Sequence, residues 1–78
     1  MNTPVDEPLH LSRRQLECLR RIAGGETSLE VARALGLSLR TVDHYIQSAC
    51  AKLCARSRTQ AVVKAIQCGL ISLDGQQL

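Results

Sequence analysis

The stretch LSLRTVDHYIQSACAKL, Leu37 to Leu53, sets Arg40, Asp43, His44 and Gln47 close together in the chain. Each of those side chains can do chemistry. A carboxylate beside an imidazole suggests acid–base work. On a helix, however, neighbours point about 100° apart, so Asp43 and His44 cannot form an oriented dyad. Cys50 and Cys54 with His44 or His10 are a conceivable zinc set, but the spacing lacks the C-x2-C knuckle of structural zinc sites. The chain has no Gly-rich phosphate loop, no H-x-x-x-H ligand pair and no carboxylates expected to pair in a pocket. A domain this small also has little room for a cleft, so neither an enzyme nor a metal or cofactor site is expected. What remains is a hydrogen-bonding surface suited to the edges of bases or to another protein.

The same stretch shows what must hold that surface. Val42, Ile46, Ala49 and Leu53 fall within about 60° of one another at helical spacing and form an apolar stripe. Arg40, Asp43, His44, Gln47, Ser48 and Ala51 spread over the opposite side. A helix is therefore expected over about 39–53. Upstream, Ser12 with Gln15 makes an S-x-x-Q capping box, and Leu16, Leu19, Ile22 and Ala23 follow at helical spacing as far as Gly24-Gly25. That predicts a helix over 13–23. Thr27 with Glu30 repeats the box for a short helix over 28–35, with Leu29, Ala32 and Leu35 as its apolar stripe and Gly36 at a left-handed C-terminal position. Only Gly36 and Leu37 separate it from Ser38, the next N-cap, which is helix-turn-helix spacing. Ser57 with Gln60 makes a third box for a helix over 58–68, carrying Ala61, Val62, Ala65 and Ile66 and ending at Gly69. Leu70 then stands where a Schellman motif places its apolar contact. The expectation is an all-α, four-helix bundle over 11–73, with a leader or linker at 1–10 and a tail at 74–78.

Composition agrees with that architecture. The chain has 78 residues, no Phe or Trp, and Tyr45 as its one aromatic residue, so small aliphatic side chains must fill the core. Tyr45 is expected to pack on the flank of that core. No apolar run approaches the roughly 20 residues of a membrane span, and the N-terminal stretch does not read as a signal peptide. A cytoplasmic protein with no membrane partner is expected. Cys18, Cys50, Cys54 and Cys68 read as free thiols filling apolar positions. On a helix, Cys50 and Cys54 would place their Cβ atoms about 5–6 Å apart, against about 3.8 Å in an unstrained disulfide. The net charge is +3, and it is unevenly placed: from Val31 to Leu73, Arg33, Arg40, Lys52, Arg56, Arg58 and Lys64 face Asp43 alone. Such a basic half is the electrostatic footprint of a polyanion partner.

Taken in order, Leu11-Ser12-x-Arg14, Glu17-Cys18-Leu19, Ala23-x-Gly25, Glu30-Val31-Ala32, Leu35-Gly36-Leu37-Ser38, Thr41-Val42, Lys52-Leu53 and Ser57-Arg58-Thr59-x-Ala61 resemble the DNA-binding domain of LuxR-type (LuxR/FixJ/GerE) transcriptional regulators. The resemblance runs from Leu11 to Ile71. It implies a tetrahelical helix-turn-helix domain whose third helix enters the major groove and whose fourth helps make a homodimer. The SRTQAVVKA segment is closer to the quorum-sensing branch, in which a sensory domain for acyl-homoserine lactones would precede Leu11. RNA polymerase is a further partner consistent with it. The chain departs from the family pattern at Gln15, where Glu is common, at Asp43 and Tyr45, where Lys and His are frequent, and at Cys54, where Gly or another turn residue is usual.

On this reading Asp43, His44 and Gln47 read bases. Gln47 can bond adenine bidentately, and an ionised Asp43 can accept from cytosine N4 or adenine N6. Thr27, Ser28, Arg40, Thr41, Lys52, Arg56 and Arg58 position the backbone, with Thr27 and Ser28 at a helix N-terminus. Five or six phosphate contacts would give a log–log salt slope of about −4 to −5, and Lys52→Ala would lower it by about one unit. Val62, Val63 and Ile66 are the dimer candidates. Competing readings put Asp43 in a pair with Arg40, Arg56 and Arg58 in pairs with Glu17 or Glu30, and Arg33 and Lys64 on a solvated face. The rival functions are a small protein-interaction bundle and a σ-factor region-4-like domain.

Overall fold

A computed structural model of the chain describes residues 11–72. The expected leader at 1–10 and tail at 74–78 lie outside the described residues. Four helices follow in order: α1 (Arg13–Ala23), α2 (Ser28–Leu35), α3 (Leu39–Lys52) and α4 (Arg58–Gln67). The all-α, four-helix expectation is met. α1 and α2 agree with it at both ends, and α3 and α4 each stop one residue early. No helix among the described residues is long and apolar enough to cross a membrane.

The helix starts are set by side-chain caps. Ser12 Oγ accepts from Gln15 N at 3.1 Å while Gln15 Oε1 accepts from Ser12 N at 2.8 Å. Thr27 and Glu30 form the same reciprocal pair. Ser57 Oγ does accept from Gln60 N, but Gln60 reaches one residue further back, to Arg56 N at 2.6 Å, so the third box is only half formed.

Each helix ends in an i→i−5 backbone bond: Glu26 to Arg21, Leu37 to Ala32, Ala55 to Cys50 and Leu70 to Ala65. This is the Schellman closure, which needs one residue at positive φ. Gly25, Gly36 and Gly69 supply it in three helices, whereas Cys54, at φ 56°, supplies it for α3. A side chain in that region is strained, and Lys64 supports the turn. Its Nζ donates to Leu53 O at 3.2 Å and Cys54 O at 2.9 Å. Lys64 therefore closes the C-terminus of α3, whereas a solvated face was expected for it from the sequence.

α3 packs against α1, α2 and α4. Val42, Ile46, Ala49 and Leu53 are all buried, as their spacing requires, and they meet Cys18 and Leu19 of α1, Val31 and Ala32 of α2, and Ala61 and Ala65 of α4. Tyr45 packs half-buried on this core. The stripe of α2 is Val31, Ala32 and Leu35, and Leu29 is exposed. Positions 31 and 35 lie about 40° apart on a helix, whereas 29 and 35 lie about 120° apart, so only the former pair faces a single neighbour. The four thiols are free, yet only Cys18 is a core residue; Cys50 is half-buried, and Cys54 and Cys68 are exposed. Among the described residues no group of His, Cys, Asp and Glu side chains is arranged to hold a metal ion.

Candidate nucleic-acid interface

Burying one stripe of α3 on three neighbours turns the opposite stripe outward. Leu39, Arg40, Asp43, His44 and Gln47 line one open depression along it. Asp43 and Gln47 also line a second, shared with Ile46, Cys50, Arg56 and Arg58, where the start of α4 approaches α3. On helical geometry Arg40 and Gln47 stand about 20° apart and about 10 Å along the axis, an unbroken ridge with His44 between them. Arg40, His44 and Gln47 are exposed and Asp43 is half-buried.

Asp43 is not paired with Arg40. Its Oδ1 lies 3.5 Å from the Arg58 guanidinium, with both side chains a little over 40% exposed. Arg58 also donates to Ser28 Oγ at 2.8 Å. One guanidinium, at the first residue of α4, thus joins the first residue of α2 to the outward face of α3. Neither acid expected to hold Arg56 or Arg58 does so: Glu17 pairs with Arg14 at 3.3 Å, and Glu30 is spent on the Thr27 cap.

The other positioning candidates are distributed unevenly. Thr27 Oγ1 accepts from Glu30 N, and Thr41 Oγ1 accepts from the Ser38 hydroxyl at 2.9 Å, so each keeps its own proton for a further acceptor. Arg56 is exposed on the loop before α4. Lys52 is turned inward: its ammonium donates to Gln15 Oε1 at 3.1 Å, across from α3 to α1. The Gln15 amide oxygen accepts from Lys52 as a carboxylate at that position would. Of the dimer candidates, Val62 and Ile66 are half-buried against the core, while Val63 is exposed on α4. Sequence reasoning passed over Leu39. It is 44% exposed at the start of α3 and lines the same depression as Arg40, Asp43, His44 and Gln47. An apolar residue directly after an N-cap and outside the buried stripe is the signal that could have found it.

Residues 9–65 match the family described as "Bacterial regulatory proteins, luxR family". The chain belongs to that family. It is 40% identical over 67 residues to the HTH-type quorum sensing-dependent transcriptional regulator VjbR of Brucella ovis, a match covering 86% of this chain and 26% of that protein. It is 40% identical over 62 residues to the transcriptional activator VanR of Vibrio anguillarum, covering 80% of this chain and 26% of VanR. Among solved structures, that of the VqmA dimer of Vibrio cholerae, a LuxR-type receptor, superposes with a TM-score of 0.78 at 26% identity, covering 92% of this chain and 34% of VqmA. The chain therefore spans about a quarter of the length of the curated relatives it matches. Membership makes the fold a LuxR-type helix-turn-helix domain, gives it a DNA-binding role in transcription regulation, and sets it among regulators and not enzymes.

Proposed function

We propose that this LuxR-type domain binds double-stranded DNA sequence-specifically with α3 in the major groove, as a dimer on a two-fold-symmetric site. The observation that carries the reading is the two-sided use of α3. One stripe is fully buried on the other three helices, and the opposite stripe offers Arg40, Asp43, His44 and Gln47 to solvent. Gln47 and His44 read base edges, and Leu39 meets a thymine methyl at the start of the ridge. Arg40, Arg56, Arg58 and the Thr27, Ser28 and Thr41 hydroxyls hold phosphates. Val63, flanked by Val62 and Ile66, meets a second copy about a two-fold axis, which would set the half-sites about one helical turn apart. The naming of VanR as a transcriptional activator supports an activating role, for which RNA polymerase is the expected partner, and the quorum-sensing regulator VjbR supports a sensory domain elsewhere in the whole protein.

Selection of duplexes from a randomised pool, followed by anisotropy titration of the winners, tests this. A palindromic winner is expected. Gln47→Ala should relax preference at one base pair by about 1–3 kcal/mol, and Leu39→Ala should relax a thymine position. Equal loss on every sequence for Gln47→Ala would remove Gln47 as a reader. No duplex binding at about 50 mM salt would transfer the role to a protein-interaction bundle.

A further inference from the structure

We infer that Asp43 is a specificity-determining residue that acts through Arg58, as an internal counter-ion released only on a matching sequence; the inference rests on the DNA-binding reading above. Three observations carry it. Asp43 is the sole acid between Val31 and Leu73 and stands on the ridge of α3, between Arg40 and Gln47. Its carboxylate is 3.5 Å from the Arg58 guanidinium, and that guanidinium is steadied by Ser28 Oγ at 2.8 Å. Both partners are over 40% exposed, so phosphate can reach Arg58 and a base donor can reach Asp43 without unfolding anything.

The exchange follows from donor and acceptor types. A phosphate that takes Arg58 leaves Asp43 as a bare acceptor-only anion beside a polyanion. On a duplex presenting cytosine N4 or adenine N6 at that position, Asp43 gains a base donor in return for Arg58. On any other duplex it gains nothing, and the pair stays closed, withholding one cation from the backbone. Specific and non-specific complexes then differ in how many phosphates the protein neutralises, by one per protomer. Ser28 keeps the guanidinium at the rim of the interface in either state, by a bond that a phosphate need not displace.

The test is a double-mutant cycle on the 78-residue chain, titrated by anisotropy over about 50–200 mM salt against a selected duplex and a scrambled one. One additional phosphate contact steepens the log–log slope by about 0.9, which is about eightfold in affinity at 0.1 M salt relative to 1 M. Asp43→Asn should therefore, per protomer bound, raise affinity for the scrambled duplex by about that factor and steepen its slope by about 0.9, while narrowing the ratio between the two duplexes. In an Arg58→Gln background the same substitution should leave the slope unchanged. Equal steepening in both backgrounds would reduce Asp43 to plain repulsion and overturn the exchange, as would no steepening in either. Failure of the unmodified chain to bind any duplex would instead refute the DNA reading itself, and the exchange with it. The half-exposed pair adds little to stability, so the variants should fold, and the unchanged far-ultraviolet circular dichroism of each is the control.

Discussion

Lys64→Met isolates the device that closes α3. The substitution keeps most of the aliphatic stem and removes an ammonium that donates to Leu53 O at 3.2 Å and Cys54 O at 2.9 Å. The last carbonyls of a helix have no partner within it, and a cation there also meets the negative end of the dipole. A hydrogen bond to a charged group contributes about 1.5–3 kcal/mol when well shielded. The carbonyls here are near the surface and Lys64 is half-buried, so the two bonds together are expected to contribute about 2 kcal/mol, not twice the shielded figure. In a domain of this size that lowers the melting temperature by about 8–16 °C. Thermal and urea unfolding followed by circular dichroism measures it, with Gln67→Met at an exposed position of the same helix as the control. A loss below about 0.5 kcal/mol would refute the capping role. A salt slope for DNA binding that falls by about one unit would refute it differently, by making Lys64 a phosphate contact.

Two further expectations concern the cysteines. Cys54→Gly should stabilise the chain by about 0.5–1 kcal/mol, because relieving a side chain at φ 56° gains about 1–2 kcal/mol and the freer unfolded glycine returns part of it; a lower urea midpoint would contradict this. Burial first, and then the charge of Glu17, hold the Cys18 thiol above its ordinary pKa, against the opposing pull of Arg14 and Arg21. The stability tied to the neutral thiol is therefore complete below the ordinary thiol range, about 8.5, and is lost as pH rises through the higher folded value. Native-state alkylation should modify Cys54 and Cys68 first and Cys18 last, and early reaction at Cys18 would show that α1 opens locally.

The elements were legible because their signals are local. Ser12, Thr27 and Ser57 lie three residues before a Gln or Glu, and Gly25, Gly36 and Gly69 follow the last apolar position of their helices. α3 was read correctly because four turns of apolar spacing outweigh any one residue. α2 has two turns, and there a three-residue spacing pointed to Leu29, whereas Val31 and Ala32 are the buried residues and Leu35 packs half-buried beside them. The cations were the least legible part. Lys52, Arg58 and Lys64 find partners 37, 30 and 10–11 residues away, and no periodicity encodes a contact between helices. Asp43 was legible as an exceptional acid on the ridge. That it holds Arg58 and not Arg40 depends on how α4 enters after the Cys54 turn.

The partners found for those cations change the electrostatics expected of the domain. The positioning candidates named from the sequence suggest five or six phosphate contacts. In the fold, however, Lys52 donates to Gln15, and Thr41 is neutral and displaces no counterion. Arg40 and Arg56 carry no ion pair among the described residues, and Arg58 is available by exchange with Asp43. If Arg40, Arg56 and Arg58 are the cations that neutralise phosphates, as proposed, then at about 0.9 per contact the expected slope is about −2.7 per protomer on a matching site. Lys52→Ala separates the two counts. If its ammonium remains on Gln15, the substitution leaves the slope unchanged and costs stability at the junction of α1 and α3. A slope lower by about one unit, with stability intact, would mean that Lys52 leaves Gln15 for a phosphate when DNA binds.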